Sequence, residues 1–140
     1  MSNVSRITGH YKIESNTTKI DLNNQGGAFK TIFSKSGSTG NLYSFLASFN
    51  NENVVIKLTI DEKEAFIIDG DDINDYFGDS NGEDGNRFGS MFQLNRQKDT
   101  IHFKPCFPLL FRDSITIEAR ANSNSNSRDF QAIFVELSEE

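Results

Sequence analysis

Short segments rich in Phe and Ile recur along this sequence, and residues that favour turns separate them. Val54 to Ile60 is the clearest of these segments, because its apolar residues alternate as they do along a strand. The 13 Phe and 13 Ile suit strands, and the 15 Asn, 15 Ser and 10 Gly suit the turns between them. Strands and helices do not alternate, so the pattern favours antiparallel sheets over an α/β fold. We expect a single all-β domain over residues 1–140, an antiparallel two-sheet β-sandwich, jelly-roll-like, with one short helical turn.

The expected strands are short and lie roughly ten to fifteen residues apart, which gives about eight to ten of them. Leu42 to Phe49 fits both helical and strand spacing, and a strand is preferred because eight residues are few for a helix. A turn at Asp61–Glu64 is expected to join Val54–Ile60 to Ala65–Ile68 as a hairpin. The other expected strands are the stretch in which Ile7, Tyr11 and Ile13 share one parity, and residues 19–23, 28–33, 88–94, 100–104, 114–120 and 130–137.

The charge balance and the single cysteine restrict the partners of the chain. With 14 basic and 20 acidic residues the net charge is −6, and such a surface repels nucleic-acid phosphates. Cys106 cannot form an intrachain disulfide, and its neighbours Phe107 and Pro108 predict a buried packing residue. No stretch approaches the ~18–20 apolar residues of a membrane span, and Met1–Arg6 lacks the apolar core of a secretory signal. We expect an intracellular product that binds neither nucleic acid nor membranes.

The segment from Asp69 to Asn86 is rich in acidic residues and glycine. Its seven acids and four glycines could supply the oxygen ligands that Ca²⁺ prefers. The spacing does not fit an EF-hand, because other residues fall where the turn glycine and the bidentate acid belong. We expect a solvated loop, or one that orders against a partner, with a non-EF calcium site as the alternative. The short helical turn is expected here, at Ile73–Phe77, with Asp71 or Asp72 as its cap.

The histidines and serines form no recognisable zinc or catalytic motif. His102 and Cys106 are four residues apart, but Pro105 disturbs their strand face and no second ligand pair exists. His10 stands alone and is expected to be a polar strand residue, whereas His102 is expected to point outward from its strand. Ser36–Gly40 matches neither a nucleophile elbow nor a phosphate-binding loop. The sequence therefore predicts a protein that is not an enzyme and that holds no metal or other cofactor.

Sugar binding is a second hypothesis, because small β-sandwiches often bind glycans. Such sites use exposed Trp and Tyr, whose rings stack on sugars and tolerate a wet edge. This chain has no Trp and three tyrosines, namely Tyr11, Tyr43 and Tyr76. A glycan- or receptor-binding module, with or without Ca²⁺, is therefore kept as the alternative function.

The phenylalanine content suggests more apolar surface than one small core requires. The 13 Phe and 3 Tyr are accompanied by 13 Ile and 8 Leu, and the surplus could cover an interface between subunits. The best candidate is a segment whose two prolines keep its backbone out of a central strand. The alternative is that this segment plugs one end of the sandwich. Its predicted interface residues are Phe107, Pro108, Leu109, Leu110 and Phe111.

The order of features from Val54 to Arg120 resembles small structural proteins of tailed bacteriophage particles. The features are Val55–Asp61, Phe66–Asp69, a turn at Asp72–Phe77, a polar loop, Pro108–Phe111 and Ser114–Glu118. The resemblance implies a sandwich or jelly-roll module of heads, necks or tails, without an active site or cofactor. It implies a virion protein, assembled in the host cytoplasm, whose partners are other virion proteins and copies of itself. The sequence departs from such modules at Glu62, where they often have Gly in the hairpin turn. The resemblance assigns no functional residue to this chain.

Overall fold

Eleven β-strands make up most of the part of the chain that the structure describes. The structure is a computed structural model, and it describes residues 11–16, 20–22, 28–49, 54–70, 72–73, 91–95, 100–121 and 129–140. The strands are β1 (Tyr11–Asn16), β2 (Ile20–Asp21), β3 (Lys30–Ser36), β4 (Gly40–Phe49), β5 (Val54–Ile60), β6 (Lys63–Asp69), β7 (Phe92–Asn95), β8 (Thr100–Phe103), β9 (Leu109–Phe111), β10 (Ser114–Ala121) and β11 (Asp129–Glu139).

The strands form two antiparallel sheets that pack against each other. Sheet A has the order β1-β11-β4-β8-β7, with β2 also on β11 and β9 also on β4, and sheet B has the order β3-β10-β5-β6. The chain therefore pairs early strands with late ones: β1 with β11, β3 with β10, β4 with β8 and β9, and β5 with β6. These nested pairs, divided between two sheets, are the arrangement of a jelly roll. The expected all-β sandwich is confirmed.

The core lies between the two sheets and is built from alternate residues of the long strands. On β10, Ile115, Ile117 and Ala119 are buried, and the residues between them are half-buried. On β11 the same alternation runs from Ile133 to Leu137. Each large side chain removed from water in this way stabilises the fold by about 1.5–3 kcal/mol.

Aromatic side chains close the edge of the sandwich at β6 and β7. Phe66 of sheet B contacts Phe92 and Phe103 of sheet A, with ring centroids 5.1 and 5.0 Å apart. Phe45 of β4 continues this cluster, because its ring centroid lies 5.3 Å from that of Phe103. Four of the 13 phenylalanines are therefore used where the two sheets meet at this edge.

Charged side chains close the opposite edge, at β1 and β3. Lys12 and Glu14 of β1, Lys35 of β3 and Glu139 of β11 form four ion pairs, which we call the charge network. Lys12 lies 3.2 Å from Glu14, and Lys35 lies 2.6 Å from Glu139. Burial raises the pKa of Glu14, but hydrogen bonds and charge from Lys35 and Lys12 outweigh it and hold the pKa below its usual value. Inward-pointing charges of this kind also protect an edge strand from pairing with other chains.

The turn between β5 and β6 is shorter than expected. Asp61 and Glu62 are its only two residues, and Ile60 pairs directly with Lys63. Both turn residues have positive φ, 51° and 67°, which corresponds to a type I′ hairpin turn. This turn type usually takes Asn-Gly or Asp-Gly, so Glu62 holds a conformation that favours glycine.

Asp69 occupies the cap position that was expected of Asp71 or Asp72. Its Oδ1 atom accepts a hydrogen bond from the Asp72 N–H at 2.6 Å, and Gly70, Asp72 and Ile73 have helical backbone geometry. The reason is that an N-cap side chain accepts from the N–H three residues ahead, and Asp69 is the last residue of β6. The remaining acidic segment (74–86), the polar loop at 122–127 and His10 lie outside the described residues.

Candidate functional site

Strand β1 turns its apolar residues toward solvent and its charged residues toward the other sheet. Tyr11 and Ile13 are 57% and 61% exposed. Lys12 and Glu14 alternate with them: Glu14 contacts Lys35 of sheet B, and Lys12 contacts Glu14 and Glu139. This reverses the usual alternation, in which the apolar side of a strand faces the core. A shift of one residue would exchange the two faces, so the register of β1 on β11 determines that Tyr11 and Ile13 face outward.

The register of sheet A places outward side chains in rows across its strands. Ile13 lies beside Glu136 on β11. In the next row, Phe134 of β11 lies beside Leu46 of β4, and Leu46 lies beside His102 of β8. Phe134 is 45% exposed and Leu46 is half-buried. The outer face of sheet A is defined here by the outward side chains Tyr11, Ile13, Tyr43, Leu46, His102, Leu110, Phe134 and Glu136.

Two tyrosines and a carboxylate form a cluster at one end of this face. The Tyr11 hydroxyl donates a hydrogen bond to Oε2 of Glu136 at 2.7 Å, and its ring meets that of Tyr43 edge-on, with centroids 5.4 Å apart. This hydrogen bond, together with burial and the charge of Glu136, raises the pKa of Tyr11. Ser138, the cross-strand neighbour of Tyr11, has a buried Oγ atom with no hydrogen-bond partner among the described residues. The cluster therefore combines aromatic edges with unused hydrogen-bonding capacity.

His102 lies at the other side of the outer face of sheet A. It points outward between the buried residues Ile101 and Phe103, as the alternation predicts. Burial and the nearby Lys104 lower its pKa, and the charge of Glu136 opposes them. The imidazole is therefore neutral at pH 7, with one nitrogen that donates and one that accepts.

The segment between β8 and β9 carries the most exposed large apolar side chain that the structure describes. Phe107 is 79% exposed, Pro108 and Leu110 are also exposed, and Leu109 is half-buried. Both β8 and β9 pair with β4, while the residues between them leave the sheet. The segment therefore projects from the margin of the outer face of sheet A, where Leu110 lies beside Asn41.

Two expectations for this segment are wrong. Phe111 was expected at an interface, but its side chain is completely buried in the core, because β9 pairs with β4 and turns this residue inward. Cys106 was expected to be a buried packing residue, but it is exposed. Pro105 and Pro108 keep the intervening backbone off the edge of β4, so the side chains there face solvent.

The outer face of sheet B has a different character. Its outward side chains include Lys57, Glu118 and Arg120, which lie in rows across β5 and β10. The ring of Phe29 lies 5.2 Å from the Lys57 ammonium and 5.3 Å from the Arg120 guanidinium, so it is covered by two cations. The two solvent-facing sides of the sandwich therefore differ: cations and a carboxylate stand out on sheet B, whereas sheet A combines apolar and aromatic side chains with mostly uncharged polar ones.

Comparisons with known proteins leave the chain unassigned. No protein family and no curated protein matches its sequence. Among solved structures, the chain is similar to dimeric latent PorU from Porphyromonas gingivalis, with 12% sequence identity and a TM-score of 0.28. The match covers 90% of this chain and 10% of that one, so this chain spans about a tenth of the PorU chain. The outer face of sheet A is therefore interpreted from its own chemistry.

The described ranges contain no group of three or more His, Cys, Asp and Glu side chains placed to hold a metal ion. Nor do these ranges contain a helix with the length and apolar character needed to cross a bilayer.

The outer face of sheet A was not predictable from β1 alone. The shared parity of Tyr11 and Ile13 was visible, but an amphipathic strand ordinarily turns its apolar side inward. Partners far along the chain reverse this preference, because Lys35 and Glu139 supply the charges that Lys12 and Glu14 need between the sheets. The available signal was that the alternate residues of β1 carry opposite charges.

Proposed function

We propose that the protein is a non-enzymatic structural and assembly component of a virion, and that it docks on a neighbouring protein through the outer face of sheet A. The inversion of β1 carries this proposal. A strand that places Lys12 and Glu14 between the sheets, and Tyr11 and Ile13 in water, gains no core packing from its apolar residues. Such an arrangement is accounted for if a partner covers the exposed side.

The composition of the face supports docking on protein. Exposed apolar residues that occur singly are ordinary, but contiguous ones with polar neighbours mark interaction sites. Ile13 lies diagonally between Tyr11 on its own strand and Phe134 on β11, and Ser138, Ser15 and the single carboxylate of Glu136 are their cross-strand partners. The centre of a protein–protein interface has this composition, with aromatic residues enriched and charged residues depleted.

The fold and the resemblance add the context of a virion. Viral capsid proteins use the jelly roll, as do lectin domains, so the topology supports this function by analogy. The resemblance of Val54–Arg120 to bacteriophage structural proteins points to the same class. The partners would be other virion proteins and copies of this chain, and the site of assembly would be the host cytoplasm.

Incorporation into particles tests the proposal. Particles purified on a density gradient from cells that produce the full set of structural proteins would be analysed by quantitative peptide mass spectrometry. We expect the chain at a fixed ratio to the shell or tail proteins, retained after a high-salt wash. We also expect Phe134→Glu to reduce its incorporation and Ile67→Glu, on sheet B, to leave it unchanged. Absence of the chain from purified particles would contradict the proposal.

A glycan-binding module is the second candidate, favoured by the cluster of Tyr11, Tyr43 and Glu136. Tyrosine rings offer faces for sugar stacking, and a carboxylate accepts bonds from sugar hydroxyls. The chain has no Trp, so its intrinsic fluorescence comes from three tyrosines, two of them in this cluster. If a neutral glycan on an array binds the protein, its binding should change this tyrosine emission. The Tyr11→Ala variant should no longer bind that glycan. A failure of every arrayed glycan to bind would exclude this candidate.

A further inference from the structure

We propose that the neighbour on the outer face of sheet A is a second copy of this chain, related by a two-fold axis that runs parallel to the strands between β11 and β4. The inference rests on the proposed function, since it names the partner of the same face. It specifies a closed dimer in which each copy covers the exposed apolar residues of the other. The supporting observations are the placement of those residues, the area of the face and its charge.

The first observation is that exposed apolar residues lie on both sides of the proposed axis at matching positions. The register joins Tyr11 of β1 to Ser138 of β11, Ser138 to Asn41 of β4, and Asn41 to Leu110 of β9. These residues form one row across four strands that are about 4.8 Å apart. Tyr11 and Leu110 therefore each lie about 7 Å from the axis, on opposite sides. The two-fold rotation places Tyr11 over Leu110 of the partner subunit.

The second row behaves in the same way. Phe134 and Leu46 are cross-strand neighbours on β11 and β4, so the axis passes between them. The rotation places Phe134 over Leu46 of the partner subunit, and this contact occurs twice. Ile13 lies on β1, at the same margin as Tyr11. The rotation places it near the projecting segment that carries Phe107 of the partner subunit. One operation therefore covers the exposed apolar residues on both margins of the face.

The area of the face matches a weak dimer. Five strands at ~4.8 Å spacing, each about six residues long at ~3.4 Å per residue, give a flat area of about 480 Å² per copy. Two copies bury about 1,000 Å² in total, at the lower end of specific interfaces. Two sheets pack face to face with nearly aligned strands in the cores of single domains as well, where the strand directions stay within about 30° of each other. We expect the dimer to have a dissociation constant that is roughly micromolar or higher, so that it dissociates on dilution.

Charge favours this face over the rest of the surface. The chain carries a net charge of −6, so two copies repel each other through most approaches. Among the described side chains that point outward from the strands of sheet A, Glu136 is the charged one, and Tyr11 donates a hydrogen bond to it; Lys104, directly after β8, adds a cation close to His102. The rotation places Glu136 over the β4 residues Tyr43 and Ser44 of the partner subunit. The two Glu136 carboxylates lie on either side of the axis, about 5 Å apart laterally, and the hydroxyl groups of Tyr43 and Ser44 face them as hydrogen-bond donors.

Sedimentation velocity over a concentration series tests the dimer with a matched pair of variants. Phe134 and Ile67 are 45% and 46% exposed, and they lie on the outer faces of sheets A and B. Phe134→Glu is expected to weaken dimerisation at least tenfold, and Ile67→Glu is expected to leave it unchanged. Circular dichroism would confirm that both variants are folded. A wild-type monomer at every concentration up to the solubility limit would overturn the inference, as would equal effects of the two variants.

Cross-linking tests the symmetry. In a Cys106→Ser background, Tyr11→Cys and Leu110→Cys chains would be prepared separately, mixed, and treated with a short bis-maleimide. The axis predicts a cross-linked dimer in the mixture and little in either chain alone, because each residue faces the other type across the interface. Efficient cross-linking of Tyr11→Cys with itself would place the axis elsewhere and overturn the assignment.

The outcomes separate this inference from the proposed function. A chain that is monomeric in solution but present in purified particles would refute the two-fold dimer and leave the structural role intact. A dimer through this face in a chain absent from particles would support the inference and refute the virion role.

Discussion

Asp61 and Ser114 are joined by a reciprocal pair of hydrogen bonds. The Asp61 N–H donates to the Ser114 carbonyl oxygen at 2.9 Å, and the Ser114 N–H donates to Oδ1 of Asp61 at 3.0 Å. The same carboxylate accepts bonds from the N–H groups of Arg112 and Asp113 at 2.8–3.1 Å. The β5–β6 turn is thereby fastened to the β9–β10 turn. Gly37 joins the same end of the sandwich, since its N–H donates to the Asp113 carbonyl oxygen at 2.8 Å.

This arrangement predicts an acid-sensitive contribution to stability. The backbone bonds from Arg112, Ser114 and Asp113 hold the pKa of Asp61 below its ordinary value of 3.8. A lowered pKa means that the ionised side chain stabilises the fold above pH 3.8, and that this contribution is lost as the pH falls through the lower folded value. Asp61→Asn should therefore lower the urea midpoint at pH 7, and the difference from wild type should narrow at pH 3.

The control for that experiment is Glu64→Gln, which neutralises an exposed acid on the neighbouring strand β6. It should leave the midpoint unchanged at both pH values. A difference between wild type and Asp61→Asn that stays constant with pH would show that the effect is not electrostatic.

Glu62→Gly should stabilise the protein. Glu62 has a φ of 67°, a conformation that costs a non-glycine residue about 1–2 kcal/mol. Glycine relieves this strain but loses more entropy on folding, by about 0.5–1 kcal/mol, so the expected net gain is up to ~1.5 kcal/mol. Glu62→Ala removes the carboxylate without relieving the strain and should show no gain. Chemical denaturation of both variants checks this, and a gain with alanine would contradict it.

Two glycines near the β3–β4 connection should respond very differently to alanine. A Cβ atom at Gly40 would overlap the Ser138 carbonyl oxygen and lie 2.8 Å from Cζ of Phe111. Gly37 has a φ of 74° and open space around it. Gly40→Ala should cost at least ~2 kcal/mol, because two strands must move apart, whereas Gly37→Ala should cost only the strain of about 1 kcal/mol. Thermal unfolding of the two variants distinguishes these costs. A larger loss of stability for Gly37→Ala than for Gly40→Ala would contradict the close packing at Gly40.

Phe111→Ala and Leu110→Ala separate the core from the surface at adjacent positions. Phe111 is completely buried and Leu110 is exposed. Truncation of Phe111 should cost about 3–5 kcal/mol, and truncation of Leu110 should change stability by less than ~0.5 kcal/mol in dilute solution. Denaturation curves at low protein concentration avoid any contribution from self-association. Similar losses at both positions would contradict the orientation of β9.

Lys35→Met should weaken the charge network in a pH-dependent way. The lysines hold the pKa of Glu14 below 4.5 despite its burial, so the network stabilises the fold above that pH and the contribution is lost as the pH falls. Without Lys35, Glu14 and Glu139 share Lys12 alone. We expect a loss of about 1 kcal/mol at pH 7 that shrinks toward pH 4. Lys63→Met on β6 is the control, and a loss that does not depend on pH would count against the network.

Elements defined by local alternation were predictable from the sequence. β5 has the expected bounds, Val54–Ile60, and β10 extends only one residue beyond its expected end. The preference for a strand at Leu42–Phe49 is confirmed, since β4 spans Gly40–Phe49. In β5 and β10 the apolar periodicity and the side that is buried agree, so local sequence is sufficient, whereas in β4 a register shift at Tyr43 turns this residue outward.

Features that depend on distant partners were not predictable. Asp61 and Glu62 form a tight turn without glycine because backbone N–H groups some fifty residues later hold the Asp61 carboxylate. Phe111 lies in the core because of its pairing with β4, although its sequence neighbours suggest a surface segment. The outward direction of Tyr11 depends on charges in β3 and β11. Of these three features, the outward direction of Tyr11 alone left a local signal, namely the opposite charges of Lys12 and Glu14.

The pairing of β1 with β11 also has a consequence for how the molecule is made. Tyr11 and Glu136 are 125 positions apart, yet they meet in one ladder. During synthesis β1 therefore emerges long before β11, the strand with which it pairs among the described residues. Because long-range pairing of this kind is slow, we expect β1 to join the sheet only after β11 has been made, on a timescale of roughly milliseconds to seconds. As long as β1 is unpaired, chaperones or another nascent copy can reach its open edge.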